Sequence, residues 1–275
     1  MTLISAIILG IVQGLTEFLP ISSSGHLVLL QEIIHIDKPL EILFDVTVHL
    51  GTLVAVVLYY FADIRHMITT FLTHSYKPQT WGDAYKNNLF FKLCVLIILS
   101  TFITGVIGLS IKDFIEELFL DNPRLVAVAL CCTACILLSA ELIRKRSKAL
   151  SSMIWLDALI IGVAQAIALT PGISRSGMTI ACAVWLGFTR LESARYSFLL
   201  AIPAILAGFT FQVHESISMG FNSEWFLPLI TGWISAVIAG IVAIKLILLI
   251  LKDNRLHWFS LYCVAVAIAV FIYFR

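Results

Sequence analysis

The sequence predicts an all-α polytopic membrane protein, with six transmembrane helices and two re-entrant helix–loop–helix hairpins arranged as an inverted-topology repeat. Three observations lead to this prediction. Hydrophobic residues make up 60% of the 275 positions and charged residues only 13%, a balance that excludes an ordinary soluble domain. Apolar segments long enough to cross about 30 Å of hydrocarbon recur along the chain. Two further apolar segments are interrupted near their centres by short polar runs.

The elements follow one another in the order hairpin, three spans, hairpin, three spans. The interrupted segments cover about 2–34 and 154–187, and each half of them is too short to cross a membrane alone. Irregular backbone at membrane depth is tolerated only where protein buries it or water reaches it. We therefore expect each interrupted segment to enter and leave on one face. The six predicted spans cover about 40–61, 90–111, 123–143, 192–213, 226–251 and 256–274. The polar stretch 62–89 is expected to be an interfacial loop on the cytoplasmic side.

The two hairpins look like copies of one element within a single membrane domain, 1–275, whose repeats cover about 1–150 and 151–275. A shift of 152 positions places Gly10 on Gly162, Gln13 on Gln165, Ser22 on Ser174, Ser24 on Ser176 and Gly25 on Gly177. Three spans per repeat would invert the second copy, so that the hairpin tips meet near the membrane midplane. The copies differ at Glu17, which falls on Leu169, and at Ser23, which falls on Arg175.

The distribution of charge predicts the orientation. Loops on the side away from the N-terminus hold most basic residues: Arg65, Lys77, Lys86, Arg144, Lys145, Arg146, Lys148, Arg190, Lys252 and Arg255. Loops on the other side hold Lys38, Lys112, Arg124 and Arg275, beside Asp113, Glu116, Glu117, Asp121, Glu215 and Glu224. Because basic loops stay cytoplasmic, both termini are expected outside, and the first hairpin opens outward. The net charge of +1 gives no indication of a nucleic-acid partner, and we expect none.

Glu17 and Arg175 are ionisable residues within apolar segments, where each costs roughly 2.5–3.5 kcal/mol to insert. Their alternative role is a purely structural ion pair that joins the hairpins. Hydroxyl groups and glycines surround them, and half-helices begin there, so free N–H groups and helix dipoles point at the tips. Such a site suits an anion, and phosphate in particular. The candidate anion-binding residues are Ser22, Ser24, Gly25, Ser174, Ser176, Gly177 and Thr179.

Ser23 is the candidate nucleophile because it occupies the position that Arg175 takes in the other repeat. Either Glu17 or His26 could accept its proton. Asp45 and His49 lie four residues apart on the first span. This pair could line the cavity, support the site from behind or bind a metal, although no third ligand accompanies it.

These stretches resemble the undecaprenyl-pyrophosphate phosphatase family, also called bacitracin-resistance proteins. The resemblance rests on Gly14-Leu-Thr-Glu-Phe-Leu-Pro-Ile-Ser-Ser-Ser-Gly-His26 and on Pro171-Gly-Ile-Ser-Arg-Ser-Gly-Met-Thr179, and size and hydropathy agree over the whole chain. It implies hydrolysis of a polyprenyl pyrophosphate to undecaprenyl phosphate and inorganic phosphate, on the outer face of the bacterial cytoplasmic membrane. This reaction recycles the lipid carrier for peptidoglycan synthesis and confers bacitracin resistance.

The resemblance also implies roles for residues: Ser23 as nucleophile, Glu17 and His26 as acid–base and positioning partners, and Arg175 as the phosphate clamp. Family members need a divalent cation, Mg²⁺ or Ca²⁺, for which Glu17 is a possible ligand, and a homodimer is possible. Many members carry Glu where this chain has Gln13, which argues against a two-carboxylate metal site, and Gln13 is expected to orient phosphate or water at the substrate site instead. The alternative function is a lipid flippase or transporter, because inverted repeats around broken helices are typical of transporters.

Overall fold

The computed structural model describes residues 1–275 except 35, 37, 120–121, 144–145, 218–222, 254 and 275. The described residues form α-helices and no β-strand. Arg144, Lys145, Asp121 and Arg275, which contribute to the predicted orientation, lie outside the described residues. The helices are α1 (Leu3–Phe18), α2 (Ser23–Ile34), α3 (Lys38–Tyr59), α4 (Phe61–Ser75), α5 (Trp81–Asn87), α6 (Leu89–Phe119), α7 (Pro123–Leu142), α8 (Trp155–Ile167), α9 (Arg175–Trp185), α10 (Arg190–Ile217), α11 (Phe226–Lys252) and α12 (His257–Tyr273).

Five helical stretches are long and apolar enough to cross a membrane, which agrees with a polytopic membrane protein. They are Leu40–Tyr59, Leu89–Ile115, Pro123–Leu142, Arg190–Thr210 and Ser223–Lys252, and they correspond to five of the six predicted spans. The segment predicted as the sixth span forms α12, an apolar helix of 17 residues. Six spans therefore stay a prediction.

The polar stretch 62–89, expected to be a loop, is largely helical and contains most of α4 and all of α5. Trp81 Nε1 donates to the His74 carbonyl at 2.9 Å, and His74 Nδ1 lies 3.0 Å from Thr80 Oγ1. These contacts hold the short helix α5 against the end of α4. Such tertiary contacts stabilise helices that are too short and too polar to be recognised from sequence periodicity.

Both interrupted segments consist of two helices joined by a short loop, α1–α2 and α8–α9, and are called the first and second hairpin below. That each hairpin enters and leaves the membrane on one face stays a prediction. Their first helices start at Leu3 and Trp155 and their second helices at Ser23 and Arg175. Leu3 and Trp155 are 152 positions apart, and so are Ser23 and Arg175. The two sequence motifs have the same separation. Correspondence between the halves therefore extends from individual residues to the positions at which helices begin.

Each hairpin packs against a long helix of the opposite half. Helix α1 lies against α11, and α8 lies against α6. A Cβ atom on Gly14 would lie 2.6 Å from the Ala236 carbonyl oxygen, and one on Gly162 would lie 2.8 Å from the Ser100 carbonyl oxygen. Small residues thus let the helix backbones approach closely, as in other membrane helix pairs. In this exchanged packing, each hairpin lies on a helix from the other half of the chain, and the two hairpin tips lie towards each other.

Candidate active site

The two hairpin tips are in contact, and each presents the first turn of a helix. Ser176 Oγ, in the first turn of α9, donates to the Leu19 carbonyl of the first hairpin at 3.2 Å. A Cβ on Gly25 would lie 3.5 Å from the Gly172 Cα, so the backbones are close there. Ser23 is the first residue of α2, and Arg175 is the first residue of α9. The tips therefore bring the predicted hydroxyl and the predicted guanidinium into one region.

Glu17 joins these two groups. Its Oε1 accepts a hydrogen bond from Arg175 Nη2 at 2.6 Å, and its Oε2 accepts one from Ser23 Oγ at 2.6 Å. The Glu17 side chain is only 6% exposed, and the Arg175 side chain is 15% exposed. Short charge-assisted contacts of this kind are strong, especially where water is scarce. The structure brings Glu17, Ser23 and Arg175 into direct contact, and their roles in a site stay a prediction.

Gln13 lies one helical turn before Glu17 and supports the same carboxylate. Its Nε2 donates to Glu17 Oε2 at 3.0 Å. Gln13 is fully buried, and its Oε1 has no hydrogen-bond partner among the described residues. The amide therefore fixes the orientation of Glu17 and retains one acceptor for a further donor.

The second hairpin tip is held by hydroxyl groups on three elements. Ser174 caps α9, with its Oγ accepting from Gly177 N at 3.1 Å, and its own N–H donates to Thr133 Oγ1 at 3.1 Å. Thr179 Oγ1 lies 2.6 Å from Ser197 Oγ and also donates to the Arg175 carbonyl at 2.8 Å. Thr179 and Ser197 therefore fix the start of α9 from its far side, in addition to any contact with an anion.

The first hairpin tip has a strained backbone. Ser22 has φ of 68°, the only positive φ among the described residues other than glycine. This left-handed conformation is costly for a residue with a Cβ and is concentrated at functional sites. Ser22 Oγ lies 3.5 Å from Ser24 Oγ and accepts from Gly25 N at 3.4 Å. The bend turns the chain into α2 so that Ser23 faces Glu17.

His26 is placed differently from Ser23. Its Nδ1 donates to the Ser22 carbonyl at 2.7 Å, and its Nε2 lies 2.9 Å from the hydroxyl of Tyr262. The His26 and Tyr262 rings are stacked, with their centroids 5.6 Å apart. In the neutral ring, Nε2 therefore accepts a hydrogen bond from Tyr262. Among the described residues, no hydrogen bond joins His26 to Ser23 or Glu17. Of the two predicted proton acceptors, the structure brings only Glu17 to the serine.

His49 approaches Glu17 from the first span. Its Nε2 lies 3.8 Å from Glu17 Oε2, and its Nδ1 donates to the Asp45 carbonyl at 2.7 Å. The Asp45 carboxylate instead accepts from Gln31 Nε2 at 2.5 Å. Of the roles considered for this pair, the contacts favour lining and supporting the site.

The fit of a metal ion can be tested on the same contacts. The part of the chain that the structure describes contains no group of three or more His, Cys, Asp or Glu side chains able to hold a metal. Both carboxylate oxygens of Glu17 already accept hydrogen bonds, and Gln13 supplies an amide where a second carboxylate would be needed. The protein residues here therefore do not fit a cation held by side chains alone.

Four residues at the site lie outside the two sequence motifs and could not be identified from them. Thr133, Ser197 and Tyr262 are ordinary polar residues of apolar helices, and Gln31 lies at the end of α2, outside the serine-rich run. Their partners are distant in sequence for Thr133 and Tyr262, and only the folded chain brings them together. A search for polar residues on the buried faces of the long helices could have found Thr133, but not its partner.

The family of this chain follows from comparison of its sequence with known proteins. A family model described as Bacitracin resistance protein BacA matches residues 6–269. The undecaprenyl-diphosphatase of Alkaliphilus metalliredigens is 36% identical over 273 residues, which cover 99% of each chain. The undecaprenyl-diphosphatase of Carboxydothermus hydrogenoformans is 40% identical over 269 residues, 97% of this chain and 95% of the relative. That of Korarchaeum cryptofilum is 42% identical over 277 residues, 98% of each chain. This chain therefore belongs to the bacitracin resistance protein BacA family.

Proposed function

We propose that this membrane protein is an undecaprenyl-diphosphatase, which hydrolyses undecaprenyl pyrophosphate to undecaprenyl phosphate and inorganic phosphate. Family membership and the names of its relatives support the reaction. The single observation that carries the assignment of residues is the contact of Glu17 with both Ser23 and Arg175, each at 2.6 Å. A hydroxyl, a carboxylate and a cation in this arrangement can perform phosphoryl transfer.

In the first step, Ser23 Oγ attacks the terminal phosphorus while Glu17 Oε2 accepts its proton. The new Oγ–P bond replaces the bond from phosphorus to the bridging oxygen, and undecaprenyl phosphate leaves with that electron pair. In the second step, water attacks the phosphoserine and releases inorganic phosphate, and Ser23 recovers its proton. Phosphoryl transfer needs mainly positioning and neutralisation of charge. The geometry of Glu17 and Ser23 supports the first step directly.

Arg175 and the two helix N-termini supply the positive potential for the phosphoryl oxygens. The first N–H groups of a helix have no acceptor within the helix, and the helix dipole adds to their attraction for anions. The starts of α2 and α9 lie beside each other. Gly25 N and Gly177 N already donate to Ser22 Oγ and Ser174 Oγ, so the other N–H groups of the two first turns are the ones that would bind phosphate. Ser22, Ser24, Gly25, Ser174, Ser176, Gly177 and Thr179 are the further residues of this proposed phosphate site.

We expect a divalent cation, Mg²⁺ or Ca²⁺, from the family resemblance, and it would neutralise phosphate charge. The side chains of the described residues do not by themselves form a site for it. A homodimer stays a prediction.

The proposed architecture is a single domain of six spans and two re-entrant hairpins in an inverted repeat. The shared spacing of 152 positions between helix starts and the exchanged packing of α1 and α8 support the repeat. The basic loops support an orientation in which both termini and the site face outward from the bacterial cytoplasmic membrane. A pyrophosphate carried on a lipid would then reach the hairpin tips from the outer leaflet.

The test is release of phosphate from undecaprenyl pyrophosphate by the purified protein in detergent. Ser23→Ala should lower kcat by a factor of about 10³ or more, because it removes the attacking oxygen. Ser139→Ala is the matched control, since this serine hydrogen-bonds within α7 to the Ile136 carbonyl, outside the site. Full activity of Ser23→Ala would refute its role, whereas wild-type protein that moves lipid across liposomes without releasing phosphate would refute the function.

A further inference from the structure

Two histidines lie near the Glu17–Ser23 pair, and they differ in the nitrogen that is free to exchange a proton. Both nitrogens of His26 are engaged, one by the Ser22 carbonyl and one by Tyr262. Among the residues that the structure describes, His49 makes a hydrogen bond only through Nδ1, which donates to the Asp45 carbonyl. That bond places the Nδ1 hydrogen and leaves Nε2 with its lone pair in the neutral ring. His49 therefore has the uncommitted imidazole nitrogen.

This nitrogen faces the oxygen that holds the serine. Nε2 of His49 lies 3.8 Å from Glu17 Oε2, and the same Oε2 accepts from Ser23 Oγ at 2.6 Å. The side chain of His49 is 32% exposed, so the protein does not enclose the imidazole on all sides. A proton that leaves Ser23 for Oε2 can continue to Nε2 after a small closing movement.

The charged groups around His49 favour this transfer. Glu17 on α1 faces Nε2 directly, and the carboxylate of Asp45 lies on the same helix as His49, held by Gln31 of α2. Arg175 on α9 binds the other oxygen of Glu17. The ion pair with Arg175 stabilises the carboxylate, so a proton that reaches Glu17 is readily passed on. The Glu17 carboxylate, which regains its charge when the proton moves on, then stabilises the imidazolium that results.

We propose that His49, and not His26, is the imidazole that receives the proton of Ser23 through Glu17. The inference rests on the proposed phosphatase activity and adds a residue to it. In the first step the proton passes from Ser23 Oγ to Glu17 Oε2 and on to His49 Nε2. In the second step it returns by the same route to the departing Ser23 Oγ, and the attacking water loses its proton to solvent. His49 acts through Glu17 and does not contact the substrate, so it is a positioning residue rather than a catalytic one.

The first experiment compares kcat across pH for wild type and His49→Gln. Only a neutral imidazole accepts a proton, so wild-type kcat should fall as the pH decreases. In His49→Gln, kcat should be lower by roughly 10²-fold or more, with KM nearly unchanged and without that fall. Titration of the substrate affects both proteins alike, so the difference between the profiles is the measurement.

His257→Gln is the matched control, because His257 also contacts a carboxylate, Glu141, at 2.9 Å but lies outside the site. It should retain wild-type kcat and the wild-type profile. As a second variant, His49→Ala should recover about 10-fold or more of its lost kcat when free imidazole is added, in proportion to the neutral form. This measurement also decides the matter if His49→Gln folds poorly.

The outcomes separate the inference from the function on which it rests. Wild-type kcat in His49→Gln would overturn the inference, as would a low kcat with an unchanged pH profile and no rescue of His49→Ala by imidazole. Either result leaves the phosphatase assignment standing. Failure of the wild type to release phosphate would instead overturn the proposed function and the inference together.

Discussion

Removal of Arg175 should destabilise the protein as well as inactivate it. The Arg175 guanidinium binds Glu17 Oε1 at 2.6 Å, and the two side chains are 15% and 6% exposed. In Arg175→Ala the carboxylate stays buried without its cation, whereas the hydrogen bonds from Ser23 and Gln13 remain. Breaking a buried pair from one side costs about 3–5 kcal/mol. We expect a loss of free energy of unfolding in that range, measured by unfolding in mixed micelles of detergent and sodium dodecyl sulfate.

A second substitution shows whether the uncompensated charge is the cause. Adding Glu17→Gln to Arg175→Ala removes that charge, so the double variant should recover about 2 kcal/mol relative to Arg175→Ala. It should remain inactive in the phosphate-release assay, because both the proton acceptor and the guanidinium are gone. Recovery of stability without recovery of activity would separate the structural part of the pair from its chemical part.

The matched control is Arg195→Ala, which breaks the ion pair of Arg195 with Asp63. That pair is also short, at 2.8 Å, but its side chains are 27% and 20% exposed. Contact with solvent should reduce its cost to about 1 kcal/mol or less. The reasoning is refuted if Arg175→Ala costs no more than Arg195→Ala, or if the effects of the two substitutions in the double variant simply add.

Two further predictions concern packing around the site. Gly14→Ala should lower the free energy of unfolding by about 1–3 kcal/mol, because the new Cβ would overlap the Ala236 carbonyl. Gly208→Ala is the control and should have no such effect, because nothing lies within 4 Å of its new Cβ. Equal stability of the two variants would contradict the tight α1–α11 contact. Tyr262→Phe removes the hydroxyl beside His26 Nε2 and should cost about 1 kcal/mol, again measured by unfolding, and a loss of several kcal/mol would show that the hydroxyl has another role.

The central part of the site could be predicted because ionisable residues are rare in apolar segments. Glu17 and Arg175 are expensive to insert, and this cost identifies them without any knowledge of the fold. Comparison of the two halves then identified Ser23 as the residue that replaces Arg175. The structure brings all three into contact, so the chemical contrast between repeats pointed to residues that are neighbours in the fold.

What could not be predicted depends on which way each helix faces. His26 lies three residues after Ser23, yet it is directed at Tyr262 of α12, which is 236 positions away in the sequence. The spacing of Asp45 and His49 suggested a pair, but the His49 ring uses the Asp45 backbone and faces Glu17 instead. Short helices such as α5 were missed because their stability comes from tertiary contacts rather than from their own sequence.

The packing of α1 against α11 determines when this molecule can first become active during its synthesis. The ribosome completes α1 long before α11 exists, so the small-residue face of α1 has no partner helix until α11 is made. Arg175, the cation for Glu17, is made 158 residues later. Translation must therefore reach the last quarter of the chain before the first hairpin can pack as it does in the folded protein, and a chain truncated before Arg175 would leave Glu17 without its cation.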